Sequence, residues 1–215
     1  VIVGNPPYSV GQSSQNDNNQ NLDYPTLDAS IADTYADRSS ATNKNSLYDS
    51  YIRAIRWASD RIQASPDDGI VAFVSNGGWL DGNTAAGIRL TLADEFHHIY
   101  IYNLRGNQRT SGEQSRREGG KVFGSGSRNT VAISLLVRQP GPPPVGGAQI
   151  HYRDIGNYLD RQTKLETIAR ATITNLDWAP IEPNTSGDWI NQRDSTYDTL
   201  IPLTGEGGIF HTGSN

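Results

Sequence analysis

Short apolar runs punctuate a mostly polar chain, and their spacing predicts a small set of elements. Val1-Ile2-Val3-Gly4 is a β-branched run stopped by Asn5-Pro6, which reads as the carboxyl end of a buried strand. Residues 9–45 are rich in Ser, Asn, Asp and Gln and predict a long solvated loop, since they offer too little apolar surface to order it. Tyr48, Tyr51, Ile52, Ile55, Ser59 and Ile62 recur at helical spacing, which predicts a helix packed on a sheet. Its expected start is near Ser46, where Ser46 and Asp49 have capping-box spacing. Pro66-Asp67-Asp68-Gly69 is a turn, and Ile70 to Val74 is a wholly apolar strand. Asn83 or Thr84 is the expected cap of a second helix ending near Phe96. Ile99 to Tyr102 and Thr130 to Val137 are further strands, followed by a short strand at Ile150-His151-Tyr152, a helix near 160–171 and an irregular tail.

This alternation predicts an α/β layered sheet with helices on both faces. No helical period separates the strands at 99–102 and 130–137, so they are expected to be antiparallel neighbours at one edge of the sheet. The Pro140-Gly141-Pro142-Pro143-Pro144 stretch reads as a surface turn.

Composition narrows the classes. Apolar residues make up 35% of the 215 and the net charge is -5, which excludes a general polyanion binder and leaves local basic patches for any nucleic-acid contact. Six basic residues fall within 105–128 (Arg105, Arg109, Arg116, Arg117, Lys121, Arg128) against Glu113 and Glu118, a local excess suited to phosphates or to a plain solvated loop. Cysteine is absent, which removes disulfides and thiolate metal sites, and the few histidines lack ligand spacing, so no metal site is predicted. The adjacent His97-His98 reads as structural. No apolar run has membrane-spanning length, and the expectation is a soluble cytoplasmic protein. Val1 already reads as mid-strand, which predicts a fragment of a longer polypeptide.

Asn5-Pro6-Pro7-Tyr8 directly after a buried strand has a specific chemical use. An exocyclic amine attacking a methyl donor must localise a lone pair that is delocalised into its ring. The Asn5 side-chain oxygen and the Pro6 carbonyl are two acceptors for its two hydrogens, and the prolines stiffen the turn while removing competing N–H donors. Tyr8 can stack on a base drawn out of the duplex, an interaction worth roughly 1–3 kcal/mol.

On these residues the chain resembles amino-group DNA methyltransferases of the N6-adenine type. In that family the tetrapeptide follows the fourth strand, and the Val-Phe pair, here Val122-Phe123, precedes the last. The resemblance is closer still to the methyltransferase region of type ISP restriction-modification polypeptides, which fuse nuclease, helicase and methyltransferase. It runs through Asn45 to Arg53, Asn76-Gly77-Gly78-Trp79-Leu80-Asp81-Gly82, Leu104-Arg105-Gly106-Asn107, Asp177-Trp178 and Gly187-Asp188-Trp189-Ile190-Asn191.

The resemblance implies the C-terminal half of a Rossmann-like S-adenosylmethionine-dependent methyltransferase sheet with an antiparallel edge strand. It implies catalytic roles for Asn5, Pro6, Pro7 and Tyr8, with Tyr8 and Phe123 stacking on the target base. Double-stranded DNA is the implied partner, with helicase, nuclease and target-recognition domains on the same polypeptide. Residues 1–139 would be the partial catalytic domain and 140–215 a connector toward target recognition. The main S-adenosylmethionine loop is expected upstream of Val1, because Phe123-Gly124-Ser125-Gly126 follows polar residues and precedes a strand, the wrong context for a cofactor loop. The isolated segment is then expected to be inactive. Two alternatives remain open: a non-catalytic DNA-binding or scaffold segment, and methylation of another amine such as cytosine N4 or a protein glutamine.

Overall fold

The computed structural model describes residues 1–7, 24–123, 128–194, 196 and 199–201. Six strands form one sheet: β1 (Ile2–Gly4), β2 (Gly69–Asn76), β3 (His98–Arg105), β4 (Val131–Arg138), β5 (Gln149–Asp154) and β6 (Ala179–Ile181). Their order is β1-β2-β4-β3-β5-β6. β1 runs parallel to β2 and β3 parallel to β5, while β4 is antiparallel to both β2 and β3. The carboxyl ends of β1, β2, β3 and β5 therefore share one edge with the amino end of β4. That is the edge where open α/β sheets bind ligands.

The expected antiparallel pair is present, but β4 is an interior strand and not an edge. Eight residues long and fully laddered on both sides, it would present a long row of unpaired amides at a border. The borders of the described sheet are instead the short strands β1 and β6, and β6 carries Pro180, which an edge tolerates. The expected 139/140 boundary falls between β4 and β5, and the residues beyond it add two strands to the same sheet.

Helices α1 (Pro25–Ile31), α2 (Ser50–Gln63), α3 (Ala86–Glu95), α4 (Gly112–Glu118) and α5 (Arg161–Ala169) complete the regular structure. α2 buries Tyr51, Ile52, Ile55, Ser59 and Ile62, the face set by their spacing. It starts after the expected Ser46: a 3-10 turn over Asn45–Tyr48 seats Leu47 in the core first, and Asp49 is the extended residue before the helix. α3 is likewise entered through a 3-10 turn at Asn83–Ala85, and neither Asn83 nor Thr84 caps it.

Two helices lie where loops were expected. α1 continues into a π-helical turn at Ala32–Ala36, inside the polar stretch 9–45. Its apolar edge is narrow, Ile31, Tyr35 and Ala36, but all three are buried in the main core. Arg53 adds an ion pair to Asp28 at 2.7 Å, and Arg38 another to Asp94 at 2.7 Å. α4 interrupts the β3–β4 connection and buries none of its residues, so it leaves no apolar period to read. Among the described residues no helix is long and apolar enough to cross a membrane.

Candidate functional site

Gly4 brings the chain to the carboxyl edge of the sheet beside Phe73 of β2. A side chain there is excluded, because a Cβ would lie 2.9 Å from the Phe73 ring. Asn5, Pro6 and Pro7 follow at once, with Pro6 buried and Asn5 and Pro7 exposed. Tyr8 lies outside the described residues. The turn thus leaves the sheet next to the end of β2, where Asn76 opens the Gly77–Gly82 turn.

That second turn is tightly organised. The Asn76 side-chain oxygen accepts from the Gly78 amide at 2.9 Å, and the Gly77 amide donates to the Thr130 carbonyl at 3.0 Å. The Leu80 and Gly82 amides donate to the Gly77 and Gly78 carbonyls. This is a glycine-rich strand-to-helix turn in form, yet these amides are engaged internally and make no cradle for a cofactor. This turn therefore does not fit S-adenosylmethionine as its main binding loop, and Gly124 to Gly126 of the other glycine-rich stretch fall outside the described residues.

Two cavities flank this turn. The smaller, about 290 Å³, lies between the turn and the start of α2, with Asn76, Asn83, Asn107 and Arg109 in its wall. The larger, about 970 Å³, opens at the ends of β3 and β5 and is lined by Asn103, Arg105, Tyr152, Asp154 and Asn191 among others. Gly78, Asn107 and Thr130 line both. In the larger cavity the Tyr152 hydroxyl accepts from Asn103 at 3.0 Å and donates to Asp154 at 3.3 Å. Burial, opposed by the Asn103 hydrogen bond and assisted by Asp154, pushes its hydroxyl up to about 12, so it stays protonated at neutral pH. Asp81 also lines this cavity.

The basic stretch does not present six cations on one face. Arg105 is clamped by both Asp154 oxygens at 2.8 Å and by Asn157 at 2.6 Å. Arg116 and Arg117 share Glu113 on exposed α4, at 3.6 and 3.8 Å. Arg109 and Arg128 are exposed, Lys121 is half-buried, and the Gln108 amide bonds the Arg128 carbonyl, joining the two ends of the stretch. Phe123 is half-buried against a cluster of Tyr102, Leu104, Val122, Val131 and Ile155 near the carboxyl edge. His97 is structural, bonded to the Pro142 carbonyl and the Gln139 amide at 3.1 Å each.

Three buried cations had no sequence signal: Arg56, Arg89 and Lys164. Lys164 of α5 donates to the Leu104 carbonyl at 2.9 Å and the Glu118 carbonyl at 2.7 Å, pinning the end of β3 to the end of α4. Burial depresses its pKa from 10.5 to about 8, Glu118 opposing and Arg105 assisting. The folded value lies below the unfolded one, so between these two pH values the unfolded chain holds more protons. The contribution of Lys164 to stability therefore rises with pH across that window. Urea midpoints taken from about pH 8 to about pH 9, below the ordinary tyrosine range, are expected to climb relative to those of Lys164→Met. Parallel pH profiles for the two proteins would refute this.

No family model matches the chain, and no curated protein matches it. Solved structures do. A nuclease-deletion mutant of the Type ISP restriction-modification enzyme LlaGI, in complex with a DNA substrate mimic, is 50% identical over 97% of this chain, with a TM-score of 0.85. The ATP-dependent Type ISP restriction-modification enzyme LlaBIII bound to DNA is 42% identical over 96%, with a TM-score of 0.85. The DrdV–DNA complex, solved by cryoEM, is 36% identical over 95%, with a TM-score of 0.83. The chain spans 17%, 14% and 19% of those three chains, so it is similar to one segment of much longer proteins.

Proposed function

We propose that this chain is the target-base half of a DNA adenine-N6 methyltransferase within a restriction-modification polypeptide. The observation that carries the proposal is Asn5-Pro6-Pro7 leaving the carboxyl edge of the sheet, in a chain 50% identical to a segment of LlaGI. Asn5 and the Pro6 carbonyl accept the two hydrogens of the adenine amine, and Pro7 keeps the turn rigid. Tyr8 and Phe123 hold the extruded base by its faces.

S-adenosylmethionine, when bound, supplies the methyl group. Its main loop is assigned to residues outside this segment, a choice supported by the internally bonded Gly77–Gly82 turn. The segment alone is then not a working enzyme. Arg109, Lys121 and Arg128 are the better candidates for phosphate contacts, since Arg105 is committed to Asp154 and the α4 arginines share Glu113. Residues 140–215 lead on toward target recognition.

The product identifies the reaction. DNA incubated with S-adenosylmethionine and the full-length polypeptide that carries this segment, then digested to nucleosides for mass spectrometry, is expected to contain N6-methyladenine. N4-methylcytosine, or unmodified DNA, would overturn the assignment.

A further inference from the structure

The wall between the two cavities is held by a buried arginine remote from the Asn-Pro-Pro turn in sequence. Arg89 of α3 has no exposed side-chain surface. Its guanidinium donates to the Trp79 carbonyl at 2.8 Å and the Gly82 carbonyl at 2.9 Å, both in the Gly77–Gly82 turn. From the same group it donates to the Gly187 carbonyl at 2.7 Å and to Asp188 at 3.3 Å. One cation thus bridges the cavity wall and a segment almost a hundred residues further along the chain.

The far side of this bridge is itself locked. Asp188 accepts from Arg193 at 2.7 and 3.0 Å and from Asn184 at 3.0 Å. Arg193 reaches on to Asn83 at 3.1 Å, and Asn191 donates to Asp81 at 3.0 Å. Trp189 packs edge-on against Trp79, ring centroids 5.5 Å apart. The 184–193 segment therefore closes over Trp79 to Asn83 through a buried ion pair, an aromatic pair and two polar contacts at its rim. Gly78 of that turn faces both cavities, and Asn191 lines the larger one.

We propose that Arg89 is a positioning residue, which with Asp188 clasps the 184–193 segment onto the Gly77–Gly82 turn and so fixes the wall against which the extruded base is seated. This rests on the base-extruding function proposed above. A buried guanidinium with four acceptors has one low-energy arrangement, because any shift leaves a charge or a carbonyl unpartnered in a dry environment. This demand adds to the packing of Trp79 and Leu80 in holding the turn, whose glycines contribute no side-chain packing. Guanidinium geometry is essential: an ammonium reaches fewer acceptors at once. Glycines in the wall let backbone approach a planar ligand closely.

The test uses the full-length polypeptide with two DNAs: one carries 2-aminopurine at the target position, whose fluorescence rises when the base leaves the stack, and the other carries adenine there, on which kcat and KM are read. Asp188→Asn removes the charge with little change in shape and is expected to cut the extrusion signal and kcat about tenfold, with the KM for S-adenosylmethionine unchanged. Arg89→Lys is expected to fall between wild type and Arg89→Met. Should Arg89→Met not fold, Asp188→Asn and Asn191→Ala carry the test, the latter with a loss of about threefold because it breaks the rim contact to Asp81 and leaves the Arg89–Asp188 pair in place. A full extrusion signal and kcat in Asp188→Asn, with only the melting temperature lowered, would overturn the proposal by making the clasp merely structural. Failure of the underlying function shows separately: the wild-type protein would then give no extrusion signal at all.

Discussion

Asn5→Ala in the full-length polypeptide is expected to lower kcat for adenine methylation by at least ~100-fold while leaving DNA affinity nearly unchanged. The amine nitrogen becomes nucleophilic only as its lone pair withdraws from the ring, and its two N–H bonds polarise as positive charge grows there. Two acceptors aimed at those hydrogens are worth more in the transition state than in the bound ground state, and that difference accelerates the step. Removing one preorganised hydrogen-bonding group of this kind typically costs about 10²–10³ in kcat. Alanine also leaves the two prolines in place, so the turn keeps its path and the effect reports on the lost acceptor. Asn5→Asp, which keeps an acceptor oxygen, should lose less than Asn5→Ala. Single-turnover transfer of labelled methyl groups measures both, and a rate for Asn5→Ala within about threefold of wild type, taken against that expected loss, would sink the amine-grip mechanism.

Although Val1 and Val3 are exposed at the border of the described sheet, where the run was expected to be buried, a β-branched run followed by Asn-Pro-Pro made this turn visible. The same holds for α2 and for the apolar centres of β2, β3, β4 and β5, where one face or both are buried and periodicity follows. Pairing is a different matter. Nothing in the run Thr130 to Val137 says which strands flank it, and placing β4 at an edge failed because interior position is set by hydrogen-bond partners and not by side-chain pattern. α4 escaped notice for the opposite reason: a helix that buries nothing has no period.

The polar framework around the cavities was hidden for one consistent physical reason. Arginine and lysine read as surface residues on any hydropathy scale, yet Lys164 has no exposed surface while its neighbour Leu165 is 39% exposed. α5 is thus turned with its cation inward, toward carbonyls that only the folded connection brings together. Arg89 is the same case, its acceptors lying 7 to 99 residues away along the chain. The six-cation stretch shows the reverse case, since Asp154, which pairs with Arg105, sits 49 residues beyond that arginine. Local charge excess described composition there, and tertiary pairing decided which charges remain available for a phosphate.

Gly87→Ala is expected to destabilise the protein by ~3 kcal/mol or more, at or beyond the upper end for overpacked sites. Gly87 lies in α3 against the π-helical turn at Ala32–Ala36, where a Cβ would sit 1.9 Å from the Tyr35 carbonyl oxygen and 3.1 Å from the Ser39 amide nitrogen. Both obstacles are backbone, so no rotamer change relieves them, and the turn must lift off α3. Lifting it withdraws Tyr35 and Ile31 from the main core and strains the bond from the Ser39 hydroxyl to the Thr84 carbonyl at 2.8 Å. Alanine is otherwise the better helix former by about 1 kcal/mol, so the sign of the effect separates the two influences. Urea unfolding of Gly87→Ala beside Ala93→Gly on the same helix gives the measurement. The first should lose far more than the second, and equal or smaller losses would mean that the two helices do not approach this closely. Thr84 lines the smaller cavity, so lifting the turn also disturbs the wall of that cavity. That ties the narrow apolar edge of a polar-looking segment to the site more than seventy residues after Asn5.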